Sequence, residues 1–333
     1  MRLLYLLSVS ILALFLNALT ASATIDAALQ MQLGNPSGAD FNTNNHDHFL
    51  ILRTVEAIDY SDNLAEPNWA SWDLTASDLG TADRTANFIT DTNLPADFYE
   101  VIDTDYSGVG FDRGHMCPSA DRTDNPTDNA LVFFFSNIIP QAANNNEGIW
   151  ANFEDYCRSL VRSGDELMII CGPGGFNGSY VQPSQRIMTP GFTWKVVVVI
   201  PPGAGTALSR ITTSTRCIVI KVPNNNSVAS TWQTYVTSAK QIEVDTGFTF
   251  FSALPSNVAD ALRNEVDGQS GTPPAITGIS PSSGAVNSSV ILTGTTLSSA
   301  SEVTFNGTPA SFVQNSATQI TATVPTNANA GAI

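Results

Sequence analysis

The chain has 333 residues, 43% of them hydrophobic, and a mean hydropathy of +0.03. That length and apolar content exclude wholesale disorder and leave room for one large domain and one small one. Thirty acidic against fourteen basic residues give a formal charge of −16 at pH 7, which excludes a broadly basic surface for polyanions; any such partner has to be met locally.

Residues 1–23, MRLLYLLSVSILALFLNALTASA, have an early positive charge at Arg2, an apolar run and a small-residue Ala21-Ser22-Ala23 ending. This pattern predicts a signal peptide cut after Ala23, and hence a secreted, cell-surface or periplasmic protein. The run is short for a membrane span, no later stretch is long enough to be one, and no span is expected after cleavage. Residues 24–48 are rich in Asn, Asp and Thr and read as an irregular lead-in. Within it, His46 and His48 of NNHDHF lack a Cys or second His cluster to complete a metal site, and are expected at the surface.

Strand-like runs follow at 49–60, 68–74, 131–140, 167–172, 193–201, 216–223 and 248–254, most of them short and rich in β-branched or aromatic residues. The clearest helix is EGIWANFEDYCRSLVRSG, 147–164, where Ile149, Trp150, Phe153, Cys157, Leu160 and Val161 recur at spacings of three and four and Gly164 sits at the cap. A shorter helix is predicted over 256–268 with Ser256 as its cap. Mixed strands and few helices predict an α+β domain over 49–266. Export implies an oxidising compartment, so Cys117, Cys157, Cys171 and Cys217 are expected to form at least one disulfide, with three pairings open.

The composition changes at DGQSGTPP, a linker over 267–274. From 275 to 333, short alternating strands are separated by Ser, Gly, Asn and Pro, and Glu302 is the one charge. The order ITGISPSSG, VILTGTTL, VTFNG, ITATVP resembles the IPT/TIG module, an immunoglobulin-like all-β sandwich. The resemblance stops at NANAGAI, where the last strands of such a module should begin, so the module is read as incomplete and a longer protein is expected. Its expected role is tethering or contact with other domains or a surface ligand.

The stretch GFDRGHMCPSADRTDN, 110–125, gathers Arg113, His115 and Arg122 among three aspartates. An imidazole held after Asp-Arg-Gly suits proton transfer, an adjacent guanidinium suits an anion, and Gly114 allows close backbone approach to a phosphate. Asn146 lies 31 residues after His115, Glu154 eight further on and Arg158 four beyond that. DRGHM at 112–116, ADR at 120–122, SNIIPQ at 136–141 and N-x-G-x-W-x-x-x-E at 146–154, with PNWASWDLT at 67–75 and DLGTADRTANF at 78–88, resemble the DNA/RNA non-specific endonucleases of the Serratia type. The resemblance runs from about 48 to 266 and implies a ββα-metal site that hydrolyses phosphodiester bonds of DNA and RNA.

On that resemblance His115 is the general base, Asn146 the direct ligand of a Mg²⁺ ion, with Mn²⁺ or another divalent ion as substitutes, and Arg84 a phosphate-binding arginine. A carbonyl oxygen suits a hard cation that keeps several of its own waters. Eight helical residues advance about 12 Å, so Glu154 is assigned to the second sphere of the ion, through water. Arg158, one turn later, is expected to contact phosphate or balance Glu154. Arg113 is expected to contact phosphate or steady its loop, Asp112 to orient that loop, and Asn137 to support the site by hydrogen bonds. Arg122 is read as structural or peripheral, and Cys117, if oxidised, as a staple on the loop. The substrate expected is the nucleic-acid backbone. The rival reading is a secreted adhesive or carbohydrate-binding surface protein on an inert nuclease-like scaffold.

Overall fold

The computed structural model describes residues 29–329 apart from 86, 109, 183, 269–274, 296, 298, 299, 301 and 317. The expected signal peptide, most of the expected linker and the last four residues lie outside the described residues. The chain divides after Val266 into two compact units.

The first unit is α+β and is built on a seven-stranded antiparallel sheet. Its strands are β1 (Phe49–Leu52), β2 (Ala57–Ser61), β3 (Glu66–Leu74), β6 (Glu166–Gly174), β7 (Phe192–Ile200), β8 (Arg216–Pro223) and β9 (Val236–Thr237), side by side in that order. A separate ribbon pairs β4 (Asp112–His115) with β5 (Ile138–Gln141), with His115 opposite Ile138. The unbroken apolar run Val196–Ile200 follows from burial of both faces of the sheet, since alternate residues enter different cores. Val197 and Val199 pack with Ile149, Trp150, Phe153, Cys157 and Val161, which belong to helix α1 (Ala151–Arg162) and the turn before it. Val196, Val198 and Ile200 pack with helices α2 (Ala239–Thr246) and α3 (Ser256–Asn264) on the other face.

Several sequence expectations are corrected here. The run 49–60 is broken at Arg53–Glu56 and folds back on itself, so that Leu52 faces Ala57. Of 131–140, only the end is strand, because Pro126–Leu131 is helical and Phe135–Asn137 forms a 3₁₀ turn. Residues 248–254 are not a strand; Phe250 and Phe251 fill the second core from a loop in which Phe251 has φ 63°. The long helix begins earlier than its apolar spacing implied, as a π-helical turn over Asn144–Trp150, and ends where expected: Gly164 has φ 111° and its N–H reaches the Val161 carbonyl at 3.0 Å. The shorter helix is capped at Pro255 rather than by Ser256 and stops at Asn264.

No disulfide links the four cysteines, all of which are buried. Cys217 lies in one core and Cys117, Cys157 and Cys171 in the other, across the sheet. They act as small apolar side chains, and burial pushes the Cys157 and Cys171 thiols up to about 12. Cys117 is therefore no staple.

Glu66 on β3 is fully buried, neither of its carboxylate oxygens has a hydrogen-bond partner among the described residues, and burial holds its carboxyl well above the usual range. The folded state keeps this group protonated, so its contribution to stability is complete below the unfolded carboxyl value and erodes as pH rises above it. Glu66→Gln is therefore expected to raise Tm at about pH 8 by at least ~2–4 °C, the shift that 1 kcal/mol produces in a domain of this size, and to leave Tm at about pH 4 nearly unchanged. Thermal melts at the two pH values check this; an unchanged or lower Tm at the higher one contradicts it.

The second unit, described from Ala275, is all-β. A four-stranded antiparallel sheet has the order β10 (Ala275–Ser280), β11 (Ser289–Thr295), β15 (Gln319–Thr323), β14 (Phe312–Ser316), and a two-stranded pair joins β12 (Thr304–Phe305) to β13 (Thr308–Pro309). Val290, Leu292, Phe305, Ile320 and Val324 belong to its own small core. Among the described residues, no helix is long and apolar enough to cross a membrane.

Candidate active site

β4, β5 and α1, with its π-helical entry, form a ββα unit around an open cleft of about 230 Å³. Arg84, Arg113, His115, Asn146, Glu147 and Glu154 all line it. Sequence positions spread over 70 residues thus converge on one surface.

His115 ends β4 and is only 8% exposed. Its ring packs on Phe88 at 5.3 Å and edge-on to Phe133 at 4.8 Å, and its buried Nε2 has no hydrogen-bond partner among the described residues. Burial, and then the nearby Arg84 charge, push the imidazole down to about 3. The ring is therefore neutral at physiological pH and able to accept a proton. The same two aromatic rings carry the arginines: Arg84 lies over Phe133 at 4.8 Å, and Arg113 over Phe88 at 5.0 Å. Arg113 also pairs with Asp103 at 2.9 Å, while Arg84 makes no ion pair among the described residues.

Asn146 is held on both sides. Its backbone N–H donates to Ala142 at 2.9 Å, and its side-chain Nδ2 donates to Asp112 Oδ2 at 3.0 Å. The second contact commits the amide nitrogen to Asp112 and leaves Oδ1, a hard oxygen donor, for a cation. Asp112 thus orients the Asn146 side chain as well as its own loop. The three consecutive asparagines have different tasks. Asn144 is exposed and tied to Asn226; Asn145 is buried and donates to Thr193 and to the Pro223 carbonyl, each at 3.1 Å. A second triple, Asn224–Asn226, completes the clamp, with Asn224 Oδ1 accepting from the Ala142 N–H at 2.8 Å. This clamp accompanies the π-helical turn that carries Asn146 to the cleft.

Gly114 has a role other than the expected approach to phosphate. A side chain there would collide with Gln141, whose Nε2 donates to Asn145 Oδ1 at 2.8 Å. The glycine makes room for the residue that braces the asparagine turn. Asn137, fully buried, accepts from the Cys117 N–H at 3.0 Å and donates to the Cys117 and Val132 carbonyls at 2.9 and 2.8 Å, fixing the chain just after His115.

Glu154 faces the cleft from α1, and its Oε1 accepts from Lys195 Nζ at 3.1 Å. Burial raises the Glu154 carboxyl, and Lys195 opposes that rise. Arg158 departs from expectation. It does not line the cleft; its Nη1 donates to Asp121 at 2.8 Å and its Nη2 to Asp155 at 2.5 Å, so Lys195 rather than Arg158 pairs with Glu154. One helical turn from Glu154 rotates Arg158 toward the buried Asp121, which also accepts from Trp72 Nε1 at 3.1 Å. Arg122 is a buried strut, donating to the Val55 and Asp73 carbonyls. His46 and His48 bind different carboxylates, Asp62 at 2.7 Å and Asp59 at 2.8 Å, and form no joint metal pair.

Sequence reasoning missed Phe88, Phe133, Asp103 and Lys195. Only a lysine interrupting TWKVVVVIP carried a signal, since a charge within a strand buried on both faces requires a partner.

A buried histidine, two arginines and an asparagine with a free amide oxygen thus share one cleft on a ββα unit. Residues 37–257 match the DNA/RNA non-specific endonuclease family, and residues 274–332 match the IPT/TIG domain. The chain belongs to the DNA/RNA non-specific endonuclease family and is a nuclease; dependence on a divalent metal is typical of that family. It is 40% identical over 242 residues to a Nuclease of a Nostoc species, covering 72% of this chain and 86% of that one. It is 26% identical over 268 residues to the Nuclease of Serratia marcescens, covering 76% and 92%. In fold it is similar to a chain in the crystal structure of the EndoG/EndoGI complex, with a TM-score of 0.56 and 20% identity over 69% of this chain and 93% of that one.

Proposed function

We propose that this endonuclease hydrolyses the backbone of both DNA and RNA, with His115 as general base and Mg²⁺ as its divalent ion. The observation that carries the reading is the convergence of His115, Asn146, Glu154, Arg84 and Arg113 on one cleft. His115, neutral because it is buried beside Arg84, accepts the proton of the attacking water. Arg84 and Arg113 receive the phosphate oxygens, each guanidinium lying over an aromatic ring. Asn146 Oδ1 fits a hard cation because Asp112 holds the amide nitrogen away from it, and Glu154 fits the outer sphere of that cation, through water. When bound, such an ion neutralises charge on the scissile phosphate and stabilises the leaving oxygen.

Phosphate contacts carry no base information, so little sequence preference is expected. Against the rival reading, an inert adhesive scaffold, stands the convergence of these residues on one cleft in a chain of the nuclease family. The amino-terminal pattern supports export to the periplasm, cell surface or medium, and the IPT/TIG domain serves there as a tether or a contact for a surface ligand.

The deciding experiment incubates the purified protein with plasmid, single-stranded DNA and RNA, with Mg²⁺ or with a chelator. All three substrates are expected to be cut with Mg²⁺, and cutting to stop on chelation. Undiminished cutting in the chelator overturns the metal role, and an untouched RNA overturns the breadth of substrate. A related expectation concerns salt. Two arginines in an otherwise acidic protein imply a slope of log affinity against log salt of about −2 on duplex DNA, and a slope several times steeper contradicts this.

A further inference from the structure

We propose that Lys195 is a positioning residue that fixes Glu154 in the cleft from beneath. The inference rests on the proposed role of Glu154 around the divalent ion. Lys195 projects from the middle of β7 with only 1% of its surface exposed, and its Nζ reaches Glu154 Oε1 at 3.1 Å. The ammonium is closed in by indole rings, lying 4.3 Å from the Trp150 centroid and 5.2 Å from that of Trp72. Trp150 itself lines the cleft and Glu154 follows it one helical turn later, so sheet, lysine, indole and carboxylate form a single stack under the site.

A buried lysine is costly unless it is paired, and its position here is defined from every side. Burial is the largest influence and lowers its proton affinity, yet Glu154 together with Cys171, Cys157 and Asp121 raises it overall, so the ammonium persists. A strand at the centre of a sheet is among the most rigid supports in the fold. The lysine holds one carboxylate oxygen and leaves the other for the cleft. Arg158, which sequence spacing suggested for this task, is engaged with Asp121 and Asp155.

The test is a double-mutant cycle on the full chain with Lys195→Met, Glu154→Gln and the double variant, read by kcat/KM on plasmid DNA, by Mn²⁺ titration without substrate and by thermal melting. Lys195→Met alone is expected to lower kcat/KM and weaken Mn²⁺ binding by ~10–100-fold, as loss of a partner to a metal-sphere group does. In the Glu154→Gln background the same substitution is expected to change kcat/KM by less than about twofold, because the lysine acts only through the carboxylate. The double variant removes both buried charges and so remains comparable if Lys195→Met alone does not fold. A further loss of about tenfold or more in the Glu154→Gln background, or full activity and Mn²⁺ binding in Lys195→Met, overturns the proposal. Failure of the underlying reading looks different: the unmodified protein cuts without a divalent ion, or Glu154→Gln itself leaves cutting and Mn²⁺ binding intact.

Discussion

Replacing His115 by alanine is expected to lower kcat/KM on plasmid DNA and on RNA by about 10²–10⁴-fold, the range a positioned general base contributes. Mn²⁺ binding should survive, because the imidazole accepts a proton and holds no ion. Gel-based cleavage rates with a parallel Mn²⁺ titration check both halves; undiminished cutting removes the proposed base. The environment of the ring adds a pH signature. With the imidazole pushed down to about 3, its neutral form dominates throughout the neutral range, so kcat/KM should show no loss centred near pH ~6.5, the ordinary histidine value. The stability consequence has the same sign. Because the folded value is depressed, the contribution of His115 is complete above the unfolded value of about 6.5 and is lost as pH falls from there toward about 3.

Asn146→Ala should cost about 10²–10³-fold in kcat/KM, since several kcal/mol of charge stabilisation at the phosphate depend on the ion it would hold. Its Mn²⁺ binding should fall in parallel, unlike that of the histidine variant. The neighbouring asparagines provide internal controls. Asn144→Ala removes an exposed contact to Asn226 and should leave the rate within about threefold, in line with a surface substitution of about ±0.5 kcal/mol. Asn145→Ala removes buried bonds to Thr193 and Pro223, so a fall in Tm should accompany any fall in rate. Equal losses of ion binding at Asn144 and Asn146, with Tm unchanged, would sink the assignment of the ligand.

Much of this architecture was legible in the sequence. The helix around Phe153, Cys157 and Val161 could be read because its apolar spacing matches one buried stripe, and the strands around Ile169 and Val197 because their apolar runs are too short and too rich in β-branched residues for helices. The breaks at Arg53–Glu56 and Phe135–Asn137 were not legible. Neither contains a Gly or Pro to mark it, and the hydrogen bonds that end the strands come from distant residues: Arg53 donates to Ser136, and Asn137 holds Cys117. The register of the asparagine triple followed from Gly148, Trp150 and Glu154, but its clamp by Asn224 and Asn226 required the fold. The ion pairs of Arg158 were not legible because helical spacing gives a face and not a partner: the Glu154 charge does act on it, but the buried Asp121 that takes its guanidinium is 37 residues away. Lys195 was passed over for the complementary reason: its partner lies 41 residues away, on an element that meets β7 only in the folded chain.

The four unlinked thiols have a practical consequence. None of the cores waits for an oxidant to close, and the chain just after the histidine is fixed by an asparagine rather than by a sulfur bridge. Folding of this nuclease domain thus draws on packing rather than on an oxidant, and a reductant has no bridge among these cysteines to break.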